Sequence, residues 1–149
     1  MKKNSSDNII DMLEQFFAKA PPLPPNARET LAGITPILAL IFGVLGVLGS
    51  LSGLGLLTAF APMAPLGGAS AMSSYGTGFL SALLWLAASI LMLAAYPGTK
   101  ARKLEGWNKL FWSEVISAVS SLVTLSLFSG VIGALIGFYL LFQIKSYFK

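Results

Sequence analysis

Residues 30–60, TLAGITPILALIFGVLGVLGSLSGLGLLTAF, decide the fold class of this chain, because they form one long apolar tract without a charged side chain. The uncharged tract continues to residue 99, so that no Asp, Glu, Lys or Arg lies between Glu29 and Lys100. A helix needs only about 20 apolar residues to cross a bilayer. The sequence therefore predicts an all-α, polytopic membrane protein.

The composition supports this class and excludes several others. The chain has 149 residues, enough for one domain, with 55% hydrophobic and 11% charged residues, whereas a soluble domain carries about 25% charged residues. It contains no cysteine and no histidine, which excludes disulfides, thiolate nucleophiles and imidazole metal ligands. We expect no cofactor. The net charge is +4, and the Lys and Arg side chains flank the apolar segments. This position favours anionic lipid headgroups over nucleic acid as partners.

Residues 1–26 are predicted to form a cytoplasmic amphipathic helix and a proline-rich linker. Within residues 7–19, the apolar side chains fall at helical spacing on one face; they are Ile9, Ile10, Leu13, Phe16 and Phe17. Such a helix is typical of the headgroup plane, and the alternative is packing on its own bundle or on a second subunit. Pro21, Pro22, Pro24 and Pro25 favour an extended linker, and Asn26 is expected to cap the next helix.

Residues 27–149 are predicted to form a four-helix transmembrane domain of two hairpins, with spans at about 31–58, 75–96, 112–128 and 131–147. Residues 61–74 are expected to form an external loop, Pro97 and Gly98 to end the second helix, and Ser129 with Gly130 to form a tight turn. The third and fourth spans are each near the lower length limit for crossing. A hairpin that enters the membrane and returns is therefore the alternative to two full crossings.

The distribution of positive charge predicts the orientation, because cytoplasmic loops are enriched in Lys and Arg. Lys2, Lys3, Lys19 and Arg28 precede the first span, and Lys145 and Lys149 follow the fourth. The loop 99–111 contains four cations that are expected to contact lipid headgroups, namely Lys100, Arg102, Lys103 and Lys109. The two outer connections, 59–74 and 129–130, contain none. Both termini are therefore placed in the cytoplasm, and the protein in the cell's inner membrane.

Small residues at helical spacing predict faces on which helix backbones approach closely in lipid. In the first span these are Gly46, Gly49, Ser50 and Gly53. Gly133 and Gly137 form a second such pair in the fourth span, and they are a candidate surface to receive the polar stripe of the third span. For the face in the first span, packing within the chain is the first interpretation, and homodimerisation through that face is the second.

A polar stripe on the third span is the candidate site for chemistry. Glu114, Ser117, Ser121 and Thr124 share one helical face. In the functional interpretation, the stripe lines a polar path and Glu114 binds a cation or proton. In the structural interpretation, which we favour, Glu114 pairs with Lys109 or Arg102 near the membrane edge, and the hydroxyl groups hold helices together.

No constellation of catalytic residues is present in the sequence, which argues against an enzyme. The chain resembles small four-span inner-membrane proteins of bacteria, and residues 64–72, APLGGASAM, are similar to Gly-Gly segments of chromate ion transporters. That local similarity implies no particular substrate or site. Two function classes follow: a non-enzymatic scaffold or accessory subunit that associates through its helices, and a small transporter or channel active as an oligomer. A homo-oligomer and a different membrane-protein partner both fit the first class.

Overall fold

The computed structural model describes residues 5–124 and 127–149, which excludes the predicted cytoplasmic cations Lys2 and Lys3. These described residues are helical and contain no strand, so the all-α prediction is confirmed. Two short 3₁₀ helices, Ala61–Gly67 and Lys145–Tyr147, accompany five α-helices. The α-helices are α1 (Ser5–Phe17), α2 (Pro25–Phe60), α3 (Gly68–Lys100), α4 (Leu104–Val123) and α5 (Leu127–Ile144).

Helices α2 to α5 pack side by side in chain order, and each runs antiparallel to the one before it. Gly46 of α2 lies against the Ser89 side chain of α3. The Ser113 hydroxyl of α4 donates a hydrogen bond to the carbonyl oxygen of Ala88 in α3. Glu114 of α4 in turn lies against Gly137 of α5. The result is an up-and-down helical arrangement in which α3 and α4 form the middle.

Three segments meet at one end of this arrangement, which we call the basic end: the start of α2, the α3–α4 connection and the C-terminus. The backbone nitrogen of Lys149 donates to the carbonyl oxygen of Arg102 (2.9 Å), and the nitrogen of Leu104 donates to that of Lys149 (3.0 Å). The Tyr147 hydroxyl reaches the carbonyl oxygen of Pro25 (3.4 Å). A buried apolar cluster that includes Trp107 and Phe111 lies beneath these contacts.

The apolar helices leave most of their surface uncovered. Two stretches, Pro25–Lys100 and Phe128–Tyr147, are long and apolar enough to cross a membrane, and the first contains both α2 and α3. Only 28% and 11% of their most apolar windows are buried, whereas a core helix of a soluble protein would be mostly buried. Leu45, Leu48 and Leu56 are each more than half exposed. This pattern indicates association with a membrane, since large exposed apolar patches are rare on soluble monomers.

Helix α1 packs against the bundle with part of its predicted apolar face. Ile10 and Phe17 are buried in the cluster at the basic end, and the Phe17 ring stacks on that of Phe142 with centroids 5.6 Å apart. Phe16 remains 62% exposed and Met12 64%. In the structure α1 therefore packs on its own bundle, which is the alternative given above. Its apolar side chains Met12 and Phe16 stay uncovered.

Two predicted helix ends around the basic loop were wrong. Helix α3 continues through Pro97 and Gly98 to Lys100, because Thr99 is fully buried and hydrogen-bonded to the carbonyl oxygen of Ala95 (2.9 Å). Helix α4 begins at Leu104, well before the predicted span at 112–128, because burial of Trp107 and Phe111 favours a helix there. The connection is therefore much shorter than the predicted loop 99–111.

Other predicted boundaries also differ from the structure. Asn26 lies inside α2 and does not cap it, since Pro24 occupies the N-cap position and Pro25 the first turn. Ser129 and Gly130 lie within α5, so the predicted tight turn there was wrong. Within the predicted loop 61–74, residues 61–67 form a 3₁₀ helix and α3 begins at Gly68, whose φ of +76° suits a glycine.

Candidate functional site

The predicted polar stripe lies at the boundary between α4 and α5. Glu114, Ser117 and Ser121 line one pocket of about 340 Å³, and Gly130 and Gly133 supply its opposite wall. Thr124 lies at the end of α4 and lines a different cavity. The structure therefore brings three of the four predicted residues together.

Close approach of α5 creates this arrangement. A Cβ atom added at Gly137 would collide with the carboxylate of Glu114, and one added at Gly130 would collide with the side chain of Ser121. The two glycines thus let α5 approach polar side chains of α4. Gly133 differs, because a Cβ atom there would meet nothing within 4 Å. Of the predicted pair, Gly133 therefore lines the pocket and Gly137 packs against the Glu114 side chain.

Glu114 has neither of the two ion pairs expected for it. Lys109 pairs instead with Glu105, with 2.7 Å between Nζ and Oε1, and this cation lowers the pKa of the Glu105 carboxyl. The guanidinium of Arg102 lies over the Tyr147 ring, 5.9 Å from its centroid. Within residues 5–124 and 127–149, no ion pair or hydrogen bond to the Glu114 carboxylate is found. The Glu114 carboxylate instead lies against Gly137 of α5 and lines the pocket.

Two serines that the predicted stripe omits join α4 to α3. The Ser113 hydroxyl donates to the carbonyl oxygen of Ala88 (2.8 Å), and the hydroxyl oxygens of Ser120 and Ser81 lie 2.7 Å apart. By contrast, Ser121 bonds within its own helix, to the carbonyl oxygen of Ser117 (3.1 Å). The spacing of 113 and 120, one heptad, was the signal that could have identified this second face.

The small-residue face of α2 divides into a filled half and an open half. Gly46 lies against the Ser89 side chain, and the buried Ser50 hydroxyl donates to the carbonyl oxygen of Gly46 (2.7 Å). A Cβ atom at Gly49 or Gly53 would meet nothing within 4 Å. Packing within the chain therefore uses Gly46 and Ser50, and it leaves Gly49 and Gly53 unused.

The open half belongs to a groove on the bundle surface with a volume of about 480 Å³. Its small residues come from both α2 and α3; they are Gly49, Ser50, Gly53, Gly78, Ser81 and Ala82. Larger apolar side chains border it, among them Leu56, Phe60 and Trp85, and each of these is more than half exposed. We call this feature the small-residue groove.

The expected headgroup contacts are distributed unevenly. Lys100 and Lys103 are exposed, and Lys100 lies 5.8 Å from the Tyr96 ring centroid. Arg102 is half-buried with a φ of 55°, and Lys109 is paired as described above. Of these four cations, Lys100 and Lys103 are the two that are exposed and have no carboxylate partner among the described residues.

The described residues contain no group of three or more carboxylates, cysteines or histidines that could hold a metal ion. Comparison of the chain with protein-family models, curated proteins and solved structures gives no match.

Proposed function

We propose that this chain is a four-span inner-membrane protein with cytoplasmic termini, and that it acts as a non-enzymatic scaffold or accessory subunit by binding another transmembrane helix. The observation that carries this proposal is the small-residue groove. In lipid, helices associate through close backbone contact at small residues rather than through the hydrophobic effect. At two of its glycines, Gly49 and Gly53, an added Cβ atom would meet nothing within 4 Å in the described structure, which leaves room for such a partner.

The charge distribution supports the proposed orientation. The basic end holds Arg28, the connection Ala101–Lys103 and the C-terminal lysines, whereas the opposite tip, Ala61–Gly67, has no charge. Cytoplasmic segments carry the excess of Lys and Arg. The basic end is therefore assigned to the cytoplasm, and the tip to the other side.

Helix lengths support four crossings. At a rise of 1.5 Å per residue, α2 and α3 are about 54 and 50 Å long, and α4 and α5 about 30 and 27 Å. The hydrocarbon core is about 30 Å thick, so α5 is close to that thickness and α2 and α3 exceed it, while α4 reaches it only together with the first turns that hold Glu105 and Lys109. The longer hairpin would extend beyond the membrane or tilt within it.

Site-specific photocrosslinking in membranes tests the association. We expect a crosslinker at Leu56, which borders the groove, to give a protein adduct, and one at Leu51 to give none, although both are exposed. Filling the groove with Gly53→Leu should abolish the adduct at Leu56. Gly55→Leu is the matched control, because Gly55 is equally open but does not line the groove.

Two results would contradict the scaffold proposal. One is equal protein adducts at Leu56 and Leu51, and the other is an adduct at Leu56 that survives Gly53→Leu. The mass of the adduct also separates a second copy of this chain from a different membrane protein.

A second candidate function, transport of an ion or small solute by an oligomer, is favoured by the pocket at Glu114. An ionisable side chain within a membrane bundle commonly marks an ion or proton path. Flux into liposomes that is lost in Glu114→Ala and retained in Glu105→Ala would replace the scaffold proposal. Glu105 is the matched control, because it is an exposed carboxylate on the same helix.

A further inference from the structure

A second cavity, of about 470 Å³, lies at the basic end between α1, the first turn of α2 and the C-terminal segment. Arg28 lines it, and the Nε atom of Arg28 is buried without a hydrogen-bond partner in the described structure. Buried polar atoms in native proteins are nearly always hydrogen-bonded, and an exception calls for a missing water, ion or ligand. Arg28 therefore lines the cavity with a guanidinium for which the described structure gives no hydrogen-bond acceptor, and an anion in the cavity would supply one.

The charges around the cavity favour an anion. Arg28 and Lys145 contribute two positive charges, and Glu14, which pairs with Lys145, contributes one negative charge. Gln143 accepts a hydrogen bond from the backbone nitrogen of Leu23 through Oε1 (3.2 Å), which leaves its side-chain nitrogen as a further donor. The Ser146 hydroxyl adds another. Arginine is well suited to phosphate, because its planar group can donate two parallel hydrogen bonds.

An apolar groove of about 270 Å³ lies next to this cavity, and Phe17 lines both. Leu13 and Phe16 of α1 form one wall of the groove, and residues of α4 and α5 form the other. A phospholipid has a charged phosphate next to apolar acyl chains. The cavity would fit the phosphate, and the adjacent apolar groove would fit an acyl chain.

We propose that the cavity at Arg28 binds the phosphate group of an anionic phospholipid, with an acyl chain along the adjacent apolar groove. This inference rests on the membrane placement proposed above, but not on the association with a partner helix. It differs from the general attraction of lipid to Lys100 and Lys103, because those side chains are exposed and line neither cavity.

Native mass spectrometry of the detergent-purified protein tests the site. The protein is mixed with equal amounts of phosphatidylglycerol and phosphatidylcholine of the same acyl chains. We expect the wild type to retain one phosphatidylglycerol in preference, and Arg28→Gln to weaken that binding by about tenfold, which corresponds to about 1.4 kcal/mol. The matched control, Lys103→Gln, removes the same charge from the exposed connection and should bind like the wild type.

A second variant keeps the test valid if Arg28→Gln disturbs the fold. Ser146→Asp places a carboxylate at an exposed position on the cavity wall and should expel the lipid without altering Arg28. Equal retention by the wild type and both cavity variants would overturn the proposal, as would an equal loss in Lys103→Gln.

Competition with free phosphate identifies the source of the anion. Excess inorganic phosphate should leave the bound phosphatidylglycerol in place, because it lacks the acyl chain that would occupy the groove. Displacement of the lipid by phosphate would overturn the lipid assignment. Neither result depends on the crosslinking at Leu56, so the lipid site and the scaffold proposal can fail separately.

Discussion

Gly98 and Gly106 are the point at which α3 and α4 approach backbone to backbone, and Gly98→Ala tests that packing. An added Cβ atom at Gly98 would lie 2.7 Å from the Cα atom of Gly106 and 2.8 Å from its backbone nitrogen. Overpacking of this kind costs about 1–3 kcal/mol. Backbone atoms cannot rotate away as a side chain can, so we expect a value in the upper half of that range.

Gly76→Ala is the matched control. Gly76 lies in the same helix, α3, and a Cβ atom there would meet nothing within 4 Å. Alanine is favoured over glycine inside a helix by about 0.5–1 kcal/mol, and this gain applies to both variants. The difference between them therefore isolates the steric contact, and at about 2–3 kcal/mol it corresponds to a roughly 30- to 150-fold change in the folding equilibrium.

The assay is equilibrium unfolding in mixed micelles by titration with sodium dodecyl sulfate, followed by circular dichroism and tryptophan fluorescence. We expect Gly98→Ala to unfold at a lower denaturant fraction than the wild type, and Gly76→Ala at an equal or higher fraction. If both variants unfolded at the same point, the close contact between α3 and α4 would be refuted.

The same titration tests three further contacts. Gly130→Ala should destabilise the protein, because its methyl group would meet the Cβ atom of Ser121, which cannot rotate away, while Gly133→Ala should not; equal effects would contradict the described α4–α5 packing. Ser113→Ala should cost about 0.6 kcal/mol, the mean for hydrogen bonds between membrane helices, and no loss would argue against its bond to α3. Trp107→Phe should cost about 1 kcal/mol, because its indole nitrogen donates to a carbonyl oxygen of α5, and wild-type stability would contradict that bond.

Hydrophobicity and charge were sufficient to predict the helical class and the approximate positions of the helices. Residues 31–58 and 75–96 lie within α2 and α3, since a long apolar tract can satisfy its backbone in lipid only as a helix. The signals that failed were local ones. Pro97 followed by glycine is typical of a helix end, but the contact between Gly98 and Gly106 and the burial of Thr99 stabilise the helix beyond it.

The candidate site was predictable only in part. Helical periodicity placed Glu114, Ser117 and Ser121 on one face, and the structure has them in one pocket. Gly133 and Gly137 are the predicted surface opposite this stripe, and in the structure Gly137 lies against the Glu114 carboxylate while Gly133 lines the same pocket as the stripe. The proposed role of Arg28 has no signal in the sequence, because its unpartnered donor and the cavity that it lines depend on how α1 and the C-terminal segment pack beside it.

Cysteine accessibility tests the central claim, four crossings with the basic end in the cytoplasm, most directly. The chain contains no cysteine, so each introduced residue is the only target for an impermeant thiol reagent. In intact cells we predict labelling of Ser70→Cys and of Phe128→Cys. Both positions are exposed in the structure, and the Phe128 side chain is 85% exposed. Lys103→Cys should react only after the membrane is permeabilised. Labelling of Lys103→Cys in intact cells, or the absence of labelling at Phe128→Cys, would contradict this topology.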